Sequence, residues 1–391
     1  MKPDAPANKV PRRPAWIEVN LDQLRNNFRL IVAHKPDALR FAAVVKDEAY
    51  GHGATAVAQL AVEAGATMLA CANLQEAVSL RDRGLQAPIL VFGERTEEEL
   101  DWCVELCLSC AVSQVHTVES LARKAAAREV RAAVHVKIDT GMSRYGIPWM
   151  DSMPLLRKIN ALASLRLEGV FSHFAMSDEA DKSFALDQLE RFQEVLGTMN
   201  IVGIKATYRH ICNSGGFLDL PQAHLDMVRL GIAPLGVYPS AVCRRLPGLA
   251  PAMTVKTRIA AIRRIQPGDS VGYGMRYKAN SPRRIAVLPM GYADGYPRMR
   301  NQGYVLIHGC QAPVIGGVAM DATIVDVTEI PEAQTWDEVV VMGCQGTQEI
   351  SVHDIAKWKS TVSYDVMTGW RSRLERVYRG KPIAPPRHKR P

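Results

Sequence analysis

The sequence of 391 residues lacks the features that mark membrane, secreted and metal-binding proteins. No apolar run approaches the ~18–20 residues needed to span a bilayer. The N-terminus, MKPDAPANKVPRRPAW, has proline and charge where a secretory signal would have an apolar segment. The eight cysteines are scattered, and no histidine pattern completes a set of zinc ligands. We therefore expect reduced thiols, no resident metal, no membrane association and a cytoplasmic location.

Aromatic residues are few, at 6% of the chain, and the excess of basic residues is spread along it. The formal net charge is +8, yet basic residues cluster only at Arg12-Arg13 and in the terminal PPRHKRP. Dispersed charge without a nucleic-acid-binding module predicts a solvated surface that attracts small anions, and no nucleic-acid partner. We expect the two proline-rich basic ends, residues 1–13 and 381–391, to be disordered.

The first part of the chain alternates short apolar runs with amphipathic segments. Segments such as VAQLAVEAGA and VESLARKAAAREV repeat apolar residues at three- and four-residue steps, which indicates helices. The alternation predicts βαβ units, and eight runs favour a closed (β/α)8 barrel. An open doubly wound sheet is the alternative, but the glycine-rich dinucleotide fingerprint is absent. The apolar runs span residues 41–45, 68–72, 89–92, 110–112, 134–138, 167–171, 208–212 and 227–232.

The pattern changes between residues 245 and 252. Runs such as YVLIHG, TIVDVT and EVVVMG are short, rich in β-branched residues and separated by turn signals. We therefore predict a barrel over residues 14–250 and a C-terminal, mostly antiparallel β domain over residues 251–380. The first strand, near residues 15–19, precedes a helix and need not belong to the barrel. HDIAKWK predicts a further helix, and WRSRLERVY is compatible with a short one.

The stretch FAAVVKDEAYGHGA organises the first domain. Its apolar run ends at Lys46, at the point where a buried strand becomes a loop. A desolvated lysine loses pKa and becomes a nucleophile, so Lys46 could form a Schiff base at the mouth of a barrel. The alternative is a strand-end lysine that points into water, and this stretch alone favours that alternative.

Further polar residues occur where the other predicted strands end. Ser214, with the two glycines that follow it, offers a hydroxyl and backbone N–H groups to a phosphate, and Gly231-Ile232 can do the same. The set has too few carboxylates for glycoside hydrolysis and too few ligands for a metal. A candidate amine together with a phosphate site points to pyridoxal phosphate. The strand-end residues are Lys46, Lys137, Asp139, Arg144, His173, His210, Asn213, Ser214 and Arg229.

Here the sequence resembles the alanine racemase family over nearly its whole length. KDEAYGHG resembles the family's pyridoxal-phosphate motif, and the motifs VKIDTGMSRYG, SHFAMSD, HICNSGGFL, VRLGI, VGYG, GYADG and GVAMD follow in the family's order. The resemblance implies a barrel with a C-terminal β domain, a head-to-tail homodimer, and production of D-alanine for peptidoglycan.

The resemblance also implies a role for each matched residue. Lys46 would hold pyridoxal phosphate and act as one acid/base, and Tyr273 of the other subunit would be the second. Lys137 matches a lysine that is often carbamylated, and it would orient Arg144. Arg144 would reach the cofactor's phenolic oxygen and the substrate carboxylate. The remaining implied contacts are Tyr50, Ser214, Ile232 and Tyr364 at the phosphate, Asn213 and Gly231 elsewhere in the cofactor site, Arg229 at the ring nitrogen, His173 beside the ring, and Met320 and Asp321 of the other subunit at the substrate.

Racemisation requires a proton carrier on each face of a planar carbon, which suits a lysine and a tyrosine. Both side chains have reference pKa values of about 10, so burial and cationic neighbours must lower them. Arg229 opposite the ring nitrogen would keep its own proton, because an arginine pKa exceeds about 12. The ring nitrogen would then stay unprotonated, which favours prompt return of the substrate proton.

Two positions depart from the family pattern. Asp47 and Glu48 place two carboxylates beside Lys46, where they either raise its pKa or pair with nearby cations. Gly317 stands where the family often has an arginine that limits substrate access. Its absence leads us to hypothesise that serine or larger amino acids are tolerated.

The alternatives that remain are a broad-specificity or serine racemase, a fold-related decarboxylase and a pyridoxal-phosphate carrier. The VGYG and GVAMD motifs argue against the decarboxylase, and the second domain argues against the carrier.

Overall fold

The structure is a computed structural model that describes residues 13–383, and the chain divides into two compact units. Within the described residues, the barrel unit comprises Leu21–Ala252 and residues 380–383. The β unit comprises residues 13–20 and Met253–Arg379.

Strand β1 (Ala15–Asn20) comes first in the chain and belongs to the β unit. The barrel unit then begins with helix α1 (Leu21–His34), and strands and helices alternate through it. Its further elements are β2 (Arg40–Val44), α2 (Ala54–Glu63), β3 (Met68–Cys71), α3 (Leu74–Asp82), β4 (Ile89–Val91), α4 (Glu97–Glu105), β5 (Ser109–Val112), α5 (Val115–Ala127), β6 (Ala132–Asp139), β7 (Ile147–Pro148), α6 (Ser152–Ala161), β8 (Leu165–Phe171), α7 (Ser183–Ile201), β9 (Tyr208–His210), α8 (Ser214–Asp219) and β10 (Met227–Leu230).

Eight parallel strands form the barrel in the order β10-β2-β3-β4-β5-β6-β8-β9, and the short β7 pairs with β6. The gap between β9 and β10 is bridged by two backbone hydrogen bonds, from Asp226 N–H to Arg209 O at 3.1 Å and from Arg229 N–H to Cys212 O at 3.0 Å. Every residue of β3, β4 and β5 is buried, as strands that are covered on both faces require. The predicted (β/α)8 barrel is confirmed.

Local sequence signals set several helix starts. Asn73 caps α3 by accepting the N–H of Glu76. Thr96 and Glu99 form a reciprocal capping box at the start of α4. These caps satisfy N–H groups that have no partner inside a helix, so they determine where the helices begin.

The elements of the β unit after β1 are β11 (Met253–Arg258), β12 (Ala261–Ile265), β13 (Ser270–Val271), β14 (Tyr277–Lys278), β15 (Arg283–Leu288), β16 (Tyr304–Ile307), β17 (Cys310–Pro313), β18 (Thr323–Asp326), β19 (Glu338–Gln345), β20 (Gln348–Ile350), α9 (Val352–Lys359), α10 (Ser363–Gly369) and β21 (Glu375–Arg379).

These strands and β1 form three sheets. A seven-stranded sheet follows the order β17-β16-β19-β11-β1-β21, with β20 paired to β19, and two small sheets have the orders β12-β15-β18 and β13-β14. All ladders of the β unit are antiparallel except that between β1 and β21, which confirms the predicted mostly antiparallel domain.

The structure differs from the sequence-based expectations near both ends of the chain. The segment WRSRLERVY forms no helix, because its second half pairs as β21 with β1. Arg13, placed in a disordered tail, donates hydrogen bonds to Asp294 and to Pro289 O. Lys381, placed in the other tail, donates its N–H to Asp22. The rest of both tails, residues 1–12 and 384–391, lies outside the described residues.

Across residues 13–383, no helix is long and apolar enough to cross a membrane. Within the same range, no group of three or more His, Cys, Asp or Glu side chains is arranged to hold a metal ion.

Candidate active site

Lys46 lies two residues beyond the carboxyl end of β2, at the start of a left-handed turn. Residues 47–50 all have positive φ, between 49° and 54°, although none is glycine. This region costs L-residues roughly 1–2 kcal/mol each, so neighbouring groups must hold the turn in place. Gly51 and Gly53 follow with φ of 82° and 97°, conformations that glycine adopts without strain.

Two carboxylates hold this turn through backbone N–H groups. Oε1 of Glu76 accepts the N–H of Asp47 at 2.7 Å, and Oε2 accepts the N–H of Ala72, also at 2.7 Å. Glu48 accepts the N–H of Ala54 at 3.0 Å. The Glu76 carboxylate therefore ties the turn after Lys46 to the residue that follows β3.

The pKa of the Lys46 amine lies below its usual value because burial disfavours the ammonium form and Arg144 repels it. Glu76 and Asp47 oppose this shift without reversing it. Asp47 thus raises the pKa of Lys46 as expected of a flanking carboxylate, but burial and Arg144 outweigh it.

The loop after β6 carries Arg144. Oδ1 of Asp139, the last residue of β6, accepts three successive N–H groups, those of residues 141–143, at 2.9, 2.9 and 3.1 Å. These bonds shape the loop that leads to the exposed Arg144. The guanidinium is close enough to Lys46 to lower its pKa.

Lys137 lies inside the barrel on β6, with Nζ 5.1 Å from the ring centroid of Phe171. Burial lowers the pKa of Lys137 well below 10.5, and Arg229 and Arg144 lower it further. Asp139 opposes the shift. Lys137 is thus an amine in a cationic, desolvated environment that favours its neutral form.

Arg229 is buried on β10 and is held by neighbouring strands. Its Nη2 donates to Nδ1 of His173 at 2.9 Å and to Ser172 O at 2.8 Å, and its Nη1 donates to Nδ1 of His210 at 2.8 Å. Among residues 13–383, its Nε has no hydrogen-bond partner. Burial lowers the pKa of Arg229 to about 10, below the usual range of an arginine. The guanidinium nevertheless remains charged at neutral pH.

His173 is neutral at this site. Burial lowers its pKa well below 6.5, and Arg229 and Lys137 add to the shift because they repel an imidazolium. A neutral ring leaves Nδ1 free to accept the hydrogen bond from Arg229.

The segment after β10 folds over the first residue of α8. Oγ of Ser214 accepts the N–H groups of Gly231 and Ala233, each at 3.3 Å. A Cβ atom at Gly231 would overlap the ring of Tyr50, with Cζ at 2.9 Å, so only a residue without a side chain fits there. Ile232 is buried between these two N–H donors.

Asn213 precedes α8 and fixes its start. Oδ1 of Asn213 accepts the N–H of Gly216 at 2.9 Å and the hydroxyl of Ser177 at 2.7 Å. The N–H groups of Ser214 and Gly215 have no acceptor among the described residues. Such N–H groups at a helix start bind anionic oxygens.

The donor set in the barrel unit fits pyridoxal phosphate. Lys46 supplies an amine with a lowered pKa for an aldehyde. Arg229 has an unpartnered Nε–H for a ring atom, and Ser214 with its neighbours supplies donors for a phosphate. Because residue 231 is glycine, the ring and hydroxyl of Tyr50 can pack directly against the backbone there, beside the donors for the phosphate.

The other predicted site residues lie in the β unit. Tyr273 is 80% exposed at the start of a one-turn 3-10 helix, Tyr273–Met275. A Cβ atom at Gly272 would lie 3.4 Å from Gly317 N, so this turn packs against the segment that leads to Met320. Met320 is 56% exposed, and its N–H has no hydrogen-bond partner among residues 13–383. The remaining two are Asp321, which is exposed, and Tyr364, which is half-buried in α10.

Gly317 has an arginine beside it, although not at its own position. Gly317 forms an isolated antiparallel bridge with Arg300. A Cβ atom at Gly317 would lie 3.6 Å from Cγ of Arg300 and 3.9 Å from its Nε. A cationic side chain from the neighbouring segment is therefore already present here.

Three residues near the site escaped the sequence analysis: Glu76, His135 and Glu168. His135 precedes Lys137 by two residues in the same strand, so strand periodicity could have placed both on one face. Glu168 interrupts the apolar run LRLEGVF, which is a signal for a buried polar role. Nothing in the sequence around Glu76 indicates its contact with Asp47.

The chain matches known proteins over nearly its whole length. The family description "Alanine racemase, N-terminal domain" matches residues 19–239, and "Alanine racemase, C-terminal domain" matches residues 252–378. Alanine racemase from Halothermothrix orenii is 41% identical over 375 residues, which cover 96% of this chain and 99% of that protein.

Solved structures are similar over the same extent. Alanine racemase from Clostridium difficile 630 superposes with a TM-score of 0.90 at 33% identity, covering 95% of this chain and 96% of that one. Alanine racemase from Bacillus anthracis with bound L-Ala-P gives a TM-score of 0.89 at 33% identity and the same coverage. The matched residues include both units and every predicted site residue, and the chain therefore belongs to the alanine racemase family.

Proposed function

We propose that the chain interconverts L- and D-alanine with pyridoxal phosphate, as a homodimer in which each active site uses residues of both subunits. The observation that carries this proposal is the half-buried Lys46 amine after β2, whose pKa is lowered by burial and by Arg144. The family supplies the substrate, since the similar proteins are named alanine racemase. The D-alanine would serve peptidoglycan synthesis.

The residues of the barrel unit would hold the cofactor. Lys46 would bind it covalently through Nζ, and Arg229 would donate Nε–H to the ring nitrogen while His173 supports the guanidinium. When bound, pyridoxal phosphate supplies an aldehyde for the substrate amine and a ring that withdraws electrons from the α-carbon. The phosphate would be held by Tyr50, Asn213, Ser214, Gly231, Ile232 and Tyr364.

Two side chains would move the substrate proton. Lys46 would act on one face of the α-carbon, because burial and Arg144 make its amine a better base at neutral pH. Tyr273 would act on the other face. Its hydroxyl is exposed on the β unit, which suits a residue that reaches the barrel of the partner subunit.

Two groups would bind the substrate carboxylate, and Asp321 would stand beside them in the substrate site. Arg144 offers a guanidinium, and the N–H of Met320 has no other hydrogen-bond partner among the described residues. Asp321 adjoins Met320 and would complete the partner's contribution. Hydrogen bonds from such donors to a carboxylate are stronger than hydrogen bonds between neutral groups, so these donors would orient the substrate by its carboxylate.

The test is to incubate the purified protein and pyridoxal phosphate with L-alanine and to measure D-alanine. We expect a yellow, active wild type, no racemisation by Lys46→Ala, and at least a roughly hundredfold loss for Tyr273→Phe. Lys205→Ala and Tyr378→Phe are matched controls, since they remove an exposed amine and an exposed hydroxyl elsewhere. Full activity of Lys46→Ala would disprove the mechanism, and an inactive wild type would disprove the function.

A further inference from the structure

Four buried side chains form a continuous hydrogen-bonded chain behind the site. Nη1 of Arg229 lies 2.8 Å from Nδ1 of His210. Nε2 of His210 lies 2.9 Å from Nδ1 of His135, and Nε2 of His135 lies 3.1 Å from Oε2 of Glu168. Both imidazoles are fully buried, and Arg229 and Glu168 are buried as well.

The two ends of this hydrogen-bonded chain, Arg229 and Glu168, determine which atom donates and which accepts in every hydrogen bond between them. Arg229 carries only donors, so Nδ1 of His210 must accept. A neutral His210 then has its proton on Nε2 and donates to Nδ1 of His135. His135 in turn has its proton on Nε2 and donates to the carboxylate of Glu168. Each imidazole is thus confined to one tautomer, and all donors point from Arg229 towards Glu168.

Protonation of His135 would break this order. An imidazolium at this position would donate from Nδ1 to Nε2 of His210 and force the His210 proton onto Nδ1, where it would face the donor of Arg229. Burial instead lowers the pKa of His135 below 6.5, although Glu168 opposes the shift. The neutral form is therefore the one that satisfies all four groups.

The carboxylate end is fixed by two further donors. The hydroxyl of Ser109 donates to Oε2 of Glu168, and Nη1 of Arg166 donates to Oε1 at 2.8 Å. Burial would raise the pKa of Glu168, but hydrogen bonds from His135, Ser109 and Arg166 lower it to about 2. Glu168 is therefore a permanent anion at the far end of the chain.

The backbone makes room for the central imidazole. A Cβ atom at Gly169 would overlap Nδ1, Cε1 and Cγ of His135, all within 2.8 Å. Gly169 does not have a positive φ, so its lack of a side chain serves space and not backbone conformation. The glycine beside Glu168 thus accommodates the ring that contacts Glu168.

Arg229 has no direct carboxylate partner among residues 13–383. Its acceptors are two imidazole nitrogens, of His173 and His210, and backbone carbonyls. A buried guanidinium without a counter-charge is costly. Through the two polarised imidazoles, Glu168 is the first carboxylate connected to it.

We propose that His135 and Glu168 are positioning residues that hold His210 as the acceptor for Arg229, and so fix the orientation and charge of the guanidinium. The hydrogen-bonded chain itself does not depend on the proposed racemase activity. The catalytic effect that we expect of His135 and Glu168 does rest on that activity, because in the proposed racemase site Arg229 would face the cofactor ring.

The first test reads the protons directly. In the holoenzyme with ¹⁵N-labelled histidine, two-bond ¹H–¹⁵N correlation spectra distinguish the Nδ1–H tautomer, the Nε2–H tautomer and the imidazolium. We expect His135 and His210 to be neutral and protonated at Nε2 near pH 7. An imidazolium at His135, or an Nδ1 proton on either ring, would overturn the proposal. This measurement requires no variant.

The second test uses Glu168→Ala and Glu168→Gln, with Glu94→Gln as the matched control. Glu94 accepts hydrogen bonds from the hydroxyls of Ser113 and Thr117 in the same unit, and it has no part in the hydrogen-bonded chain from Arg229 to Glu168. In Glu168→Ala we expect the His210 resonance to show a mixture of tautomers and kcat for alanine to fall roughly tenfold with little change in KM. Glu168→Gln, whose amide oxygen can still accept from His135, should retain most of the tautomer order.

The outcomes separate this inference from the proposed function. A wild type with the assigned tautomers but no racemase activity would refute the function and leave the positioning role intact. An active wild type whose Glu168→Ala variant keeps both its His210 tautomer and its kcat would refute the inference.

Discussion

The carboxylate of Glu76 accepts the backbone N–H of Asp47 at 2.7 Å, one residue after Lys46. This contact joins α3 to a turn whose left-handed residues are strained. A side chain on the neighbouring helix thereby helps to set the position of the Lys46 amine.

Replacement of Glu76 by alanine should loosen the Lys46 turn. Two backbone N–H groups, of Asp47 and Ala72, would lose their acceptor. Because both are accessible to water, we expect a loss of about 1–2 kcal/mol in the free energy of unfolding, measured by urea denaturation. Displacement of Lys46 should lower kcat roughly tenfold or more.

Glu63→Ala is the control for this prediction, since Glu63 is an exposed glutamate at the end of α2. Glu76→Gln should recover part of the stability, because one amide oxygen still accepts. Equal kcat values for Glu76→Ala and wild type would show that the turn holds Lys46 without this carboxylate.

Lys137 should react with carbon dioxide. Burial, Arg229 and Arg144 favour its neutral amine, which is the form that attacks carbon dioxide and releases a proton. The anionic carbamate would also compensate the two arginines. We expect a carbamate signal in ¹³C NMR of protein in ¹³C-bicarbonate, and its loss in Lys137→Arg. Lys182→Arg is the control, because Lys182 is paired with Asp219 at 2.9 Å. An active wild type without the signal would contradict the prediction.

Asp294 should make the β unit sensitive to acid. Burial would raise its pKa, but hydrogen bonds from Arg13 and from the N–H of Gly291 outweigh burial and lower it below 3.8. Stability from such a carboxylate is present above the unfolded-state pKa and is lost as pH falls through the folded-state pKa. Unfolding free energies should therefore fall below about pH 4 in wild type and less steeply in Asp294→Asn.

At pH 7 the Asp294→Asn variant should be less stable by about 2 kcal/mol, because its charged hydrogen bonds are lost. Asp82→Asn, on the exposed surface of α3, should leave the pH profile unchanged. Parallel profiles for wild type and Asp294→Asn would show that Asp294 has no part in acid unfolding.

Gly317 should influence substrate breadth. Its φ is not positive, and the contacts of an added Cβ with Arg300 are ordinary, so Gly317→Arg should fold. We expect wild type to racemise serine at more than roughly one percent of the alanine rate, and Gly317→Arg to lower that ratio roughly tenfold. Gly197→Arg adds the same charge at an exposed position of α7 as a control. Turnover of alanine alone by wild type would refute the hypothesis that Gly317 broadens the substrate range. Arg300 would then be the next residue to replace, to test whether its side chain excludes serine.

Much of the fold could be predicted because hydrophobic periodicity is local. The eight apolar runs became eight parallel strands, and the runs rich in β-branched residues became antiparallel sheets. β21 was missed because its partner, β1, lies at the other end of the chain. Arg13 was placed in a disordered tail because its bond to Asp294 joins residues 281 positions apart.

The sequence by itself determined the strand-end residue types of the candidate site, since a parallel barrel brings those positions to one edge. Only the tertiary structure decided the direction of the pKa shift of Lys46, because burial and Arg144 affect this pKa more than the residues next to Lys46 in the sequence do. The same holds for His135 and Glu168, which no motif singled out. Their role arises from hydrogen bonds across strands, and long-range contacts of that kind leave little trace in local sequence.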